Sequence, residues 1–355
     1  MKTDLVSLLP EELEKALEQL HEPAYRAAQI FRWLGRGVRD FDRMSDLPRE
    51  LREKLKENFE IYEPRVLKKQ VSALDGTIKY LWELRDGQAV ETVLMSYQHG
   101  HTVCVSSQVG CRQGCAFCAS TIGGLVRNLR ASEILDEVLF TQLDSGKSVH
   151  NIVLMGIGEP LDNFDEVMRF LRLVNHPQGM NIGMRHISLS TCGLTERFDE
   201  LAAQDLQLTL SVSLHAPDDE TRSRLMPANH GRGVALLMKK CRAYYEKTGR
   251  RISFEYAMID GVNDTAMHAR LLARRAREVG AHVNLIPLNH VEERSFQPST
   301  PGHMKAFIKI LEENGVNVTV RRRLGGDVDA SCGQLRRKRE RQMQEIDRET
   351  EGKTI

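Results

Sequence analysis

Three cysteines stand close together in one stretch of the sequence, SSQVGCRQGCAFCASTIGG (106–124). Cys111, Cys115 and Cys118 are spaced C-x3-C-x2-C. Polar residues and glycine separate them, so they form no apolar stripe of the kind that buries cysteine as a small hydrophobic residue. Clustered thiols in a long chain are more often metal ligands. A structural zinc site or an ordinary four-iron cluster takes four protein ligands, so this set leaves one metal position for another ligand.

Zinc and an iron–sulfur cluster both remain open on this spacing alone. A zinc site needs a fourth ligand from a distant His or Cys, and the second C-x2-C pair that zinc ribbons usually contain does not follow. An iron–sulfur cluster held by three thiolates keeps one iron open for a small molecule. Of the other cysteines, Cys192 and Cys241 are interpreted as structural.

Length, cysteine count and apolar pattern limit the classes of protein to which the chain can belong. A chain of 355 residues suffices for one large α/β domain with a smaller appendage. Its seven cysteines, an odd number, and a start that resembles no signal peptide predict a reducing, cytoplasmic location without a disulfide scaffold. No apolar run approaches the roughly 18 residues that span a bilayer.

Charge gives only a local hint of a nucleic-acid partner. The formal net charge is +1, which does not indicate a nucleic-acid-binding protein. Basic clusters occur at 65–70, 321–323 and 336–342. Each is compatible with phosphate binding and also with a solvated surface.

The pattern of apolar residues divides the chain into segments. Residues 1 to about 60 carry helical stripes such as Leu13, Leu17 and Leu20. Residues 64–108 contain strand-like runs punctuated by Asp-Gly and His-Gly turns. From residue 101, strand-like and helical runs alternate, which predicts parallel βαβ units. Six or seven such units favour an α/β fold with a complete or partial β/α barrel.

Each unusual short sequence follows one of the predicted strands. After the cysteine loop come GIGEP (156–160), STCG (190–193), SLHAP (213–217) and PLNH (287–290). The carboxyl ends of barrel strands meet at one face, where active sites are built. GIGEP is not a dinucleotide fingerprint, because Leu161 stands where the third glycine is needed. These loops therefore predict a single active site at the mouth of the barrel.

The cysteine loop, with Phe117 before its last cysteine and a strand before its first, resembles that of the radical S-adenosylmethionine (SAM) superfamily. This resemblance implies a partial (β/α)6 radical SAM barrel with an N-terminal helical domain and a short β extension. It implies a 4Fe–4S cluster held by Cys111, Cys115 and Cys118, whose open iron binds SAM and whose reduced form cleaves it to a 5′-deoxyadenosyl radical. The residues that the resemblance implies for SAM binding are Gly158, Glu159, Ser190, Ser213, Leu214, His215 and Asn289.

Further motifs narrow the resemblance to the RlmN/Cfr family of RNA adenine methyltransferases. They extend from the N-terminal segment to about residue 338 and include VETVLM, CVSSQVGC, GIGEPLDN, RHISLSTCG, LSVSLHAP, LMPAN, IDGVND, HVNLIPLN and DASCGQLRRK. The resemblance implies four regions: an RNA-binding helical domain (1–62), a β-hairpin extension (63–100), the barrel with its C-terminal segment (101–338) and a charged tail (339–355).

The same resemblance implies chemistry for two isolated cysteines. Carbon 2 of adenine lies between two ring nitrogens and is too electron-poor to attack a SAM methyl group. In this family Cys332 would instead become S-methylcysteine, and a second SAM would activate it for addition to the ring. Cys104 would release the covalent RNA–protein intermediate through a transient disulfide with Cys332, and Glu91 would accept the ring proton. Without the resemblance, all three residues are also compatible with structural roles.

The function implied is methylation of adenine carbon 2 in the peptidyl-transferase loop of 23S rRNA and at adenosine 37 of tRNA. A flavodoxin or ferredoxin would donate electrons, and no membrane partner is expected. Arginines of the N-terminal region would contact RNA phosphates, namely Arg26, Arg32, Arg36, Arg39 and Arg43. A Cfr-like carbon-8 methyltransferase is the first alternative, and a non-catalytic, zinc-stabilised RNA-binding protein is the alternative from another class.

Overall fold

The computed structural model describes residues 2–289, 291–328 and 333–341. The helices are α1 (Pro10–Gln19), α2 (Tyr25–Gly35), α3 (Arg49–Asn58), α4 (Ala131–Ser145), α5 (Phe164–Asn175), α6 (Phe198–Ala203), α7 (Asp219–Leu225), α8 (Gly233–Thr248), α9 (Ala266–Val279) and α10 (Pro301–Glu313). Residues 334–341 are also helical. The strands are β1 (Thr3–Asp4), β2 (Phe59–Glu60), β3 (Arg65–Val71), β4 (Ile78–Glu83), β5 (Ala89–Tyr97), β6 (Gly100–Cys104), β7 (Gln108–Gly110), β8 (Leu125–Asn128), β9 (Val149–Leu154), β10 (Ile187–Thr191), β11 (Thr209–Ser213), β12 (Ser253–Met258), β13 (His282–Pro287) and β14 (Val318–Val320).

Ten of these strands form one sheet in the order β14-β13-β12-β11-β10-β9-β6-β5-β4-β3. The strands from β6 through β14 in this sheet pair in parallel, whereas β3, β4, β5 and β6 pair antiparallel. Helices α4, α5, α6, α7 with α8, α9 and α10 follow β6, β9, β10, β11, β12 and β13 respectively. The predicted partial (β/α)6 barrel with an N-terminal helical region and a β extension is therefore confirmed.

The central parallel strands are apolar along most of their length because helices cover them. Ile187 and Leu189 in β10 and Leu210 and Val212 in β11 are fully buried. Such runs are typical of parallel sheets that are covered on both faces. None of the helices in the described ranges has the length and apolar composition to cross a membrane.

Two aspartates join the ends of the ten-stranded sheet. In the β3–β4 turn, the Ser72 hydroxyl and the Ala73 N–H donate to Asp327, at 2.5 and 2.8 Å, and the Gly325 N–H donates to Asp75 at 2.8 Å. Burial raises the pKa of Asp75, but hydrogen bonds, led by that of Gly325, outweigh burial and lower this pKa to about 2. The sheet therefore curves until the β3–β4 turn meets the segment after β14.

The N-terminal helices share one apolar core with the barrel. A buried ion pair between Arg39 and Asp136 of α4 joins the two regions, and the Arg39 side chain is 0% exposed. The structure therefore corrects one sequence-based prediction, because Arg39 cannot present its charge to RNA. Arg32, Arg36 and Arg43 are exposed.

We expect Arg39→Met to lower the free energy of unfolding by about 3–5 kcal/mol, because it leaves the Asp136 carboxylate buried without its counter-ion. The double variant Arg39→Met/Asp136→Leu should recover most of this loss, since it removes both charges together. Urea denaturation of the two variants and the unsubstituted protein measures both effects. Equal destabilisation of the single and double variants would show that lost packing, not the stranded charge, is responsible.

Candidate active site

The carboxyl ends of the parallel strands surround a cavity of about 590 Å³. Loops that are far apart in sequence meet there. The site residues implied by the sequence that line this cavity are Cys111, Cys115, Cys118, Gly158, Glu159, Ser190, Ser213, His215 and Asn289. The structure therefore brings the cysteine loop and the strand-end loops together at one place.

A short β-hairpin frames the cysteine loop. Strands β7 and β8 pair antiparallel before and after it, and the Cys111 N–H donates to the Gly124 carbonyl at 3.0 Å. Gly110 has a φ of +80°, and a Cβ at this position would lie 2.0 Å from the Gly124 carbonyl oxygen. Glycine is therefore required at position 110 for the hairpin to close.

Hydrogen bonds from neighbouring elements fix the rest of the loop. The Thr121 hydroxyl lies 3.1 and 3.0 Å from the carbonyl oxygens of Cys115 and Cys118, to which it donates. Arg294 Nη2 donates to the Cys118 carbonyl at 3.2 Å, and the Ala116 N–H donates to a carbonyl at the end of α7 at 2.8 Å. The backbone of the loop is thus bonded to its surroundings, whereas the three thiols line the cavity.

The three thiols are spread more widely than a single metal ion requires. Among the described residues, the Sγ atoms of Cys111, Cys115 and Cys118 do not all lie within 4.8 Å of one another. Tetrahedral zinc, with Zn–S bonds of about 2.3 Å, would hold its thiolates about 4 Å apart. In an iron–sulfur cluster each thiolate binds a different iron, which needs a wider set. The arrangement is therefore compatible with a cluster.

Burial also makes these cysteines dependent on a metal for ionisation. It raises the pKa of Cys111 to about 12 and raises the pKa of Cys115 further, with added repulsion from Cys118 and Glu159. Both thiols hold their protons at neutral pH until a metal cation displaces them.

Glu159 connects the loop after β9 to the loop after β10. Its carboxylate accepts hydrogen bonds from the N–H groups of Leu161 at 3.0 Å and Cys192 at 2.7 Å, and burial raises its pKa. The preceding Gly158 has a φ of +113°, and a Cβ there would lie 2.6 Å from the Ser107 hydroxyl oxygen. Glycine at 158 therefore allows the β9 loop to approach the cysteine hairpin and places the Glu159 carboxylate at the cavity wall.

His215 is a neutral ring in the same wall. The Ala257 N–H donates to His215 Nδ1 at 2.9 Å, so the ring proton is on Nε2. Burial lowers the pKa of His215 to about 3. The ring packs edge-on against Phe117, with 4.9 Å between the ring centroids.

The remaining strand-end residues differ in what they present to the cavity. The hydroxyl oxygens of Ser190 and Ser213, on neighbouring strands, are 3.4 Å apart. Leu214 is fully buried and is not among the residues that line the cavity. Its N–H donates to the Glu255 carbonyl at 3.0 Å, so Leu214 contributes to the site through its backbone and not through its side chain.

Glu91 is buried and bonded to the C-terminal segment. Lys79 Nζ lies 2.9 Å from Glu91 Oε2, and the side chains are 0% and 3% exposed. The N–H groups of Gly333 and Arg336 each donate to the Glu91 carboxylate at 2.7 Å. Glu91 therefore lies in the interior and does not face solvent.

Cys104 lies at the end of β6, one side chain behind the cavity wall. It is 5% exposed and packs with Val93, Met95 and Leu324, which line the cavity. Cys332 lies outside the described residues. Gly333, next to it in sequence, is bonded to Glu91 on β5, and β5 pairs directly with the strand that carries Cys104.

The sequence analysis did not identify three residues that support the site. Gln108 Oε1 accepts from the Glu159 N–H at 2.9 Å, Lys79 pairs with Glu91, and Arg222 is buried beneath the cavity with 1% exposure. Gln108 could have been found, because it directly follows a predicted strand. Lys79 and Arg222 carry no such signal, since their roles depend on partners distant in sequence.

Family models match both parts of the chain. One, described as the Radical SAM superfamily, matches residues 105–273, and another, described as the Ribosomal RNA large subunit methyltransferase N-terminal domain, matches residues 3–61. A crystal structure of a radical SAM methyltransferase from Sphaerobacter thermophilus has a TM-score of 0.88 and 42% identity, covering 94% of this chain and 98% of that one.

Curated relatives cover almost the whole chain. A probable dual-specificity RNA methyltransferase RlmN from Desulforamulus reducens is 51% identical, covering 96% of this chain and 97% of its own length. The corresponding protein of Lachnoclostridium phytofermentans is 49% identical, with 95% of both chains covered. Similarity of this extent, over the helical region and the barrel together, shows that the chain belongs to the RlmN family of dual-specificity radical SAM RNA methyltransferases.

Proposed function

We propose that this chain methylates carbon 2 of an adenine in the peptidyl-transferase loop of 23S rRNA and of adenosine 37 in tRNA. The observation that carries the proposal is the meeting of three cluster-competent thiols with Glu159, His215 and two serine hydroxyls around one cavity. Its mouth is basic, because Arg321, Arg322 and Arg323 line it. These guanidinium groups would bind the phosphates of an RNA whose target base is unstacked.

Membership of the radical SAM superfamily implies a 4Fe–4S cluster and SAM. Cys111, Cys115 and Cys118 would hold the cluster, and the wide spacing of their thiols supports this assignment. When bound, the cluster supplies the electron for reductive cleavage of SAM, which gives access to radical chemistry at an electron-poor ring carbon. A flavodoxin or ferredoxin would deliver that electron, and two SAM molecules would be used per turnover.

Each strand-end residue has a group suited to one part of SAM. The Glu159 carboxylate and the Gly158 backbone would hold the ammonium group, because a shielded carboxylate binds a cation strongly. The hydroxyl groups of Ser190 and Ser213 would bind the ribose. The neutral His215, the Leu214 backbone and the Asn289 side chain would contact the remaining polar atoms.

Two cysteines and a glutamate outside the cluster would take part in methyl transfer, with Cys332 as the methyl carrier. The Cys332 thiolate would take a methyl group from SAM by displacement, and that methyl group would give up one hydrogen atom to the 5′-deoxyadenosyl radical from the second SAM. The resulting carbon radical would bond to carbon 2 of adenine, and the adduct would then lose the ring proton and one electron. The redox partner would accept that electron and would reduce the Cys104–Cys332 disulfide formed in the next step. Cys104 Sγ would then bond to Cys332 Sγ as the carbon–sulfur bond breaks, and the released carbon would keep the bonding electrons and take up a proton. Glu91 would accept the ring proton after exchanging one of its present hydrogen bonds. The contact between Glu91 and Gly333, next to Cys332, supports this grouping.

Deletion of the gene should remove 2-methyladenosine from both 23S rRNA and tRNA, and expression of the chain should restore it. Mass spectrometry of digested RNA from the two strains separates 2-methyladenosine from 8-methyladenosine. A gain of 8-methyladenosine on expression would favour the Cfr-like chemistry. Unchanged nucleosides would contradict both.

Replacement of each of the two isolated cysteines should stop the reaction at a different step. Cys332→Ala should abolish RNA methylation with iron content unchanged, because the methyl carrier is lost but the cluster ligands remain. Cys104→Ala should accumulate a covalent RNA–protein adduct, because the resolving thiol is missing. Cys241→Ala is a matched control, since Cys241 lies buried on α8 away from the cavity lining. Denaturing gels with labelled RNA detect the adduct, and free turnover by Cys104→Ala would exclude the resolving role.

Glu159→Gln should weaken SAM binding at least about tenfold, because the amide keeps the shape but loses the charge that pairs with the ammonium group. Glu137→Gln is the control, since Glu137 is a buried carboxyl group that does not line the cavity. Calorimetry on anaerobically reconstituted protein measures the dissociation constants. Equal affinity in both variants would remove Glu159 from the SAM site.

A further inference from the structure

Arg222, at the middle of α7, is a buried guanidinium group that has no carboxylate partner within ion-pair distance among the described residues. Its exposure is 1%. Its hydrogen bonds go to neutral acceptors: Nη1 donates to the carbonyls of Ser213, at 2.9 Å, and Leu214; Nη2 to the Cys192 carbonyl at 2.6 Å; and Nε to Asn229 Oδ1 at 3.1 Å. A buried charge is normally paired, so this arrangement needs an explanation.

The nearest acid is separated from the guanidinium by a side-chain amide. Asn229 Nδ2 donates to Asp219 Oδ1 at 3.0 Å, while Asn229 Oδ1 accepts from Arg222. Asp219 is exposed, whereas Asn229 is 5% exposed. Solvent screens the Asp219 charge, so the positive charge of Arg222 remains largely uncompensated inside the barrel.

Two contacts place this charge directly behind the cysteine loop. The Ala116 N–H, between two of the predicted cluster ligands, donates at 2.8 Å to the carbonyl of Leu225, also on α7. The Met226 sulfur, which lines the cavity, lies 3.4 Å from Arg222 Nη1. The guanidinium therefore acts electrostatically on the site where the cluster would bind.

We propose that Arg222 is a positioning residue that compensates the negative charge of the thiolate-bound cluster and thereby raises its reduction potential. The proposal rests on the cluster assignment made above. Reduction adds one electron to the cluster and breaks no bond, so its free energy depends on the charges nearby. A fixed positive charge in a water-poor interior favours the reduced form, and its bonds to the carbonyls of Cys192 and Ser213 hold it in place.

Arg222→Met and Arg222→Lys separate charge from shape. Arg222→Met should lower the equilibrium constant for one-electron reduction on the order of tenfold, equivalent to a shift of about 59 mV to more negative potential. Arg222→Lys keeps the charge and should shift the potential much less. Arg242→Met is the control, because it removes an arginine from α8 whose side chain is 64% exposed and therefore screened by solvent.

A second variant keeps the guanidinium in place, so it guards against failure of Arg222→Met to fold. Asp219→Asn/Asn229→Asp leaves the net charge of the chain unchanged and moves a carboxylate into contact with Arg222 Nε. It should shift the potential in the same negative direction as Arg222→Met.

Anaerobic redox titration with dithionite, followed by electron paramagnetic resonance, measures the midpoint potentials, and iron analysis confirms cluster content. The inference is overturned if the double variant and Arg222→Met match Arg242→Met, or if Arg222→Lys shifts as far as Arg222→Met. Absence of any cluster in the unsubstituted protein would instead contradict the proposed function, so the two failures are distinct.

Discussion

The carboxyl ends of seven parallel strands meet on one side of the sheet, and this geometric constraint determines where the loops that line the cavity lie. Every loop that follows such a strand begins at the same edge of the sheet. Residues such as Cys111 and Asn289 therefore meet, although 178 positions separate them in the sequence. The curvature that makes them meet depends on hydrogen bonds at the ends of the sheet, where Asp75 and Asp327 join the β3–β4 turn to the segment after β14. The cavity is therefore a consequence of sheet topology before it is a consequence of any one side chain.

The antiparallel strands that precede the barrel have a role beyond extending the sheet. The turn between β3 and β4 donates hydrogen bonds to Asp327. Glu91 of β5 accepts hydrogen bonds from the N–H groups of Gly333 and Arg336. Both contacts flank residues 329–332, which include Cys332. The β extension thus anchors the two ends of the segment that the proposed chemistry requires.

Sequence patterns predicted the elements well and the partners of buried charges poorly. The run AVETVLMSY, one of the strand-like runs between residues 64 and 108, coincides with β5, Ala89–Tyr97, because a high content of apolar and β-branched residues is a local property. Lys79 lies within the strand-like run TIKYLWEL, and no neighbouring residue in the sequence indicated that it would pair with Glu91. Arg222 in DETRSRL has the pattern of an exposed helical residue, yet it is buried. Burial of a charge is set by tertiary packing, which one sequence does not display, whereas the strand-end loops were visible because the barrel rule places all of them on one face.

The two buried charges nearest the proposed cofactors are stabilised in complementary ways by the backbone of one residue, Cys192. The N–H of Cys192 donates to the Glu159 carboxylate, and the carbonyl of Cys192 accepts from the Arg222 guanidinium. Neither charge forms an ion pair among the described residues, so backbone dipoles stabilise both without neutralising them. The proposed roles of these residues, an ammonium contact for Glu159 and an electrostatic effect on a thiolate-bound cluster for Arg222, both require that the two charges stay unpaired. Had Glu159 and Arg222 paired with each other, the barrel would have gained a buried salt bridge of little net stability, and neither proposed role would be open to it.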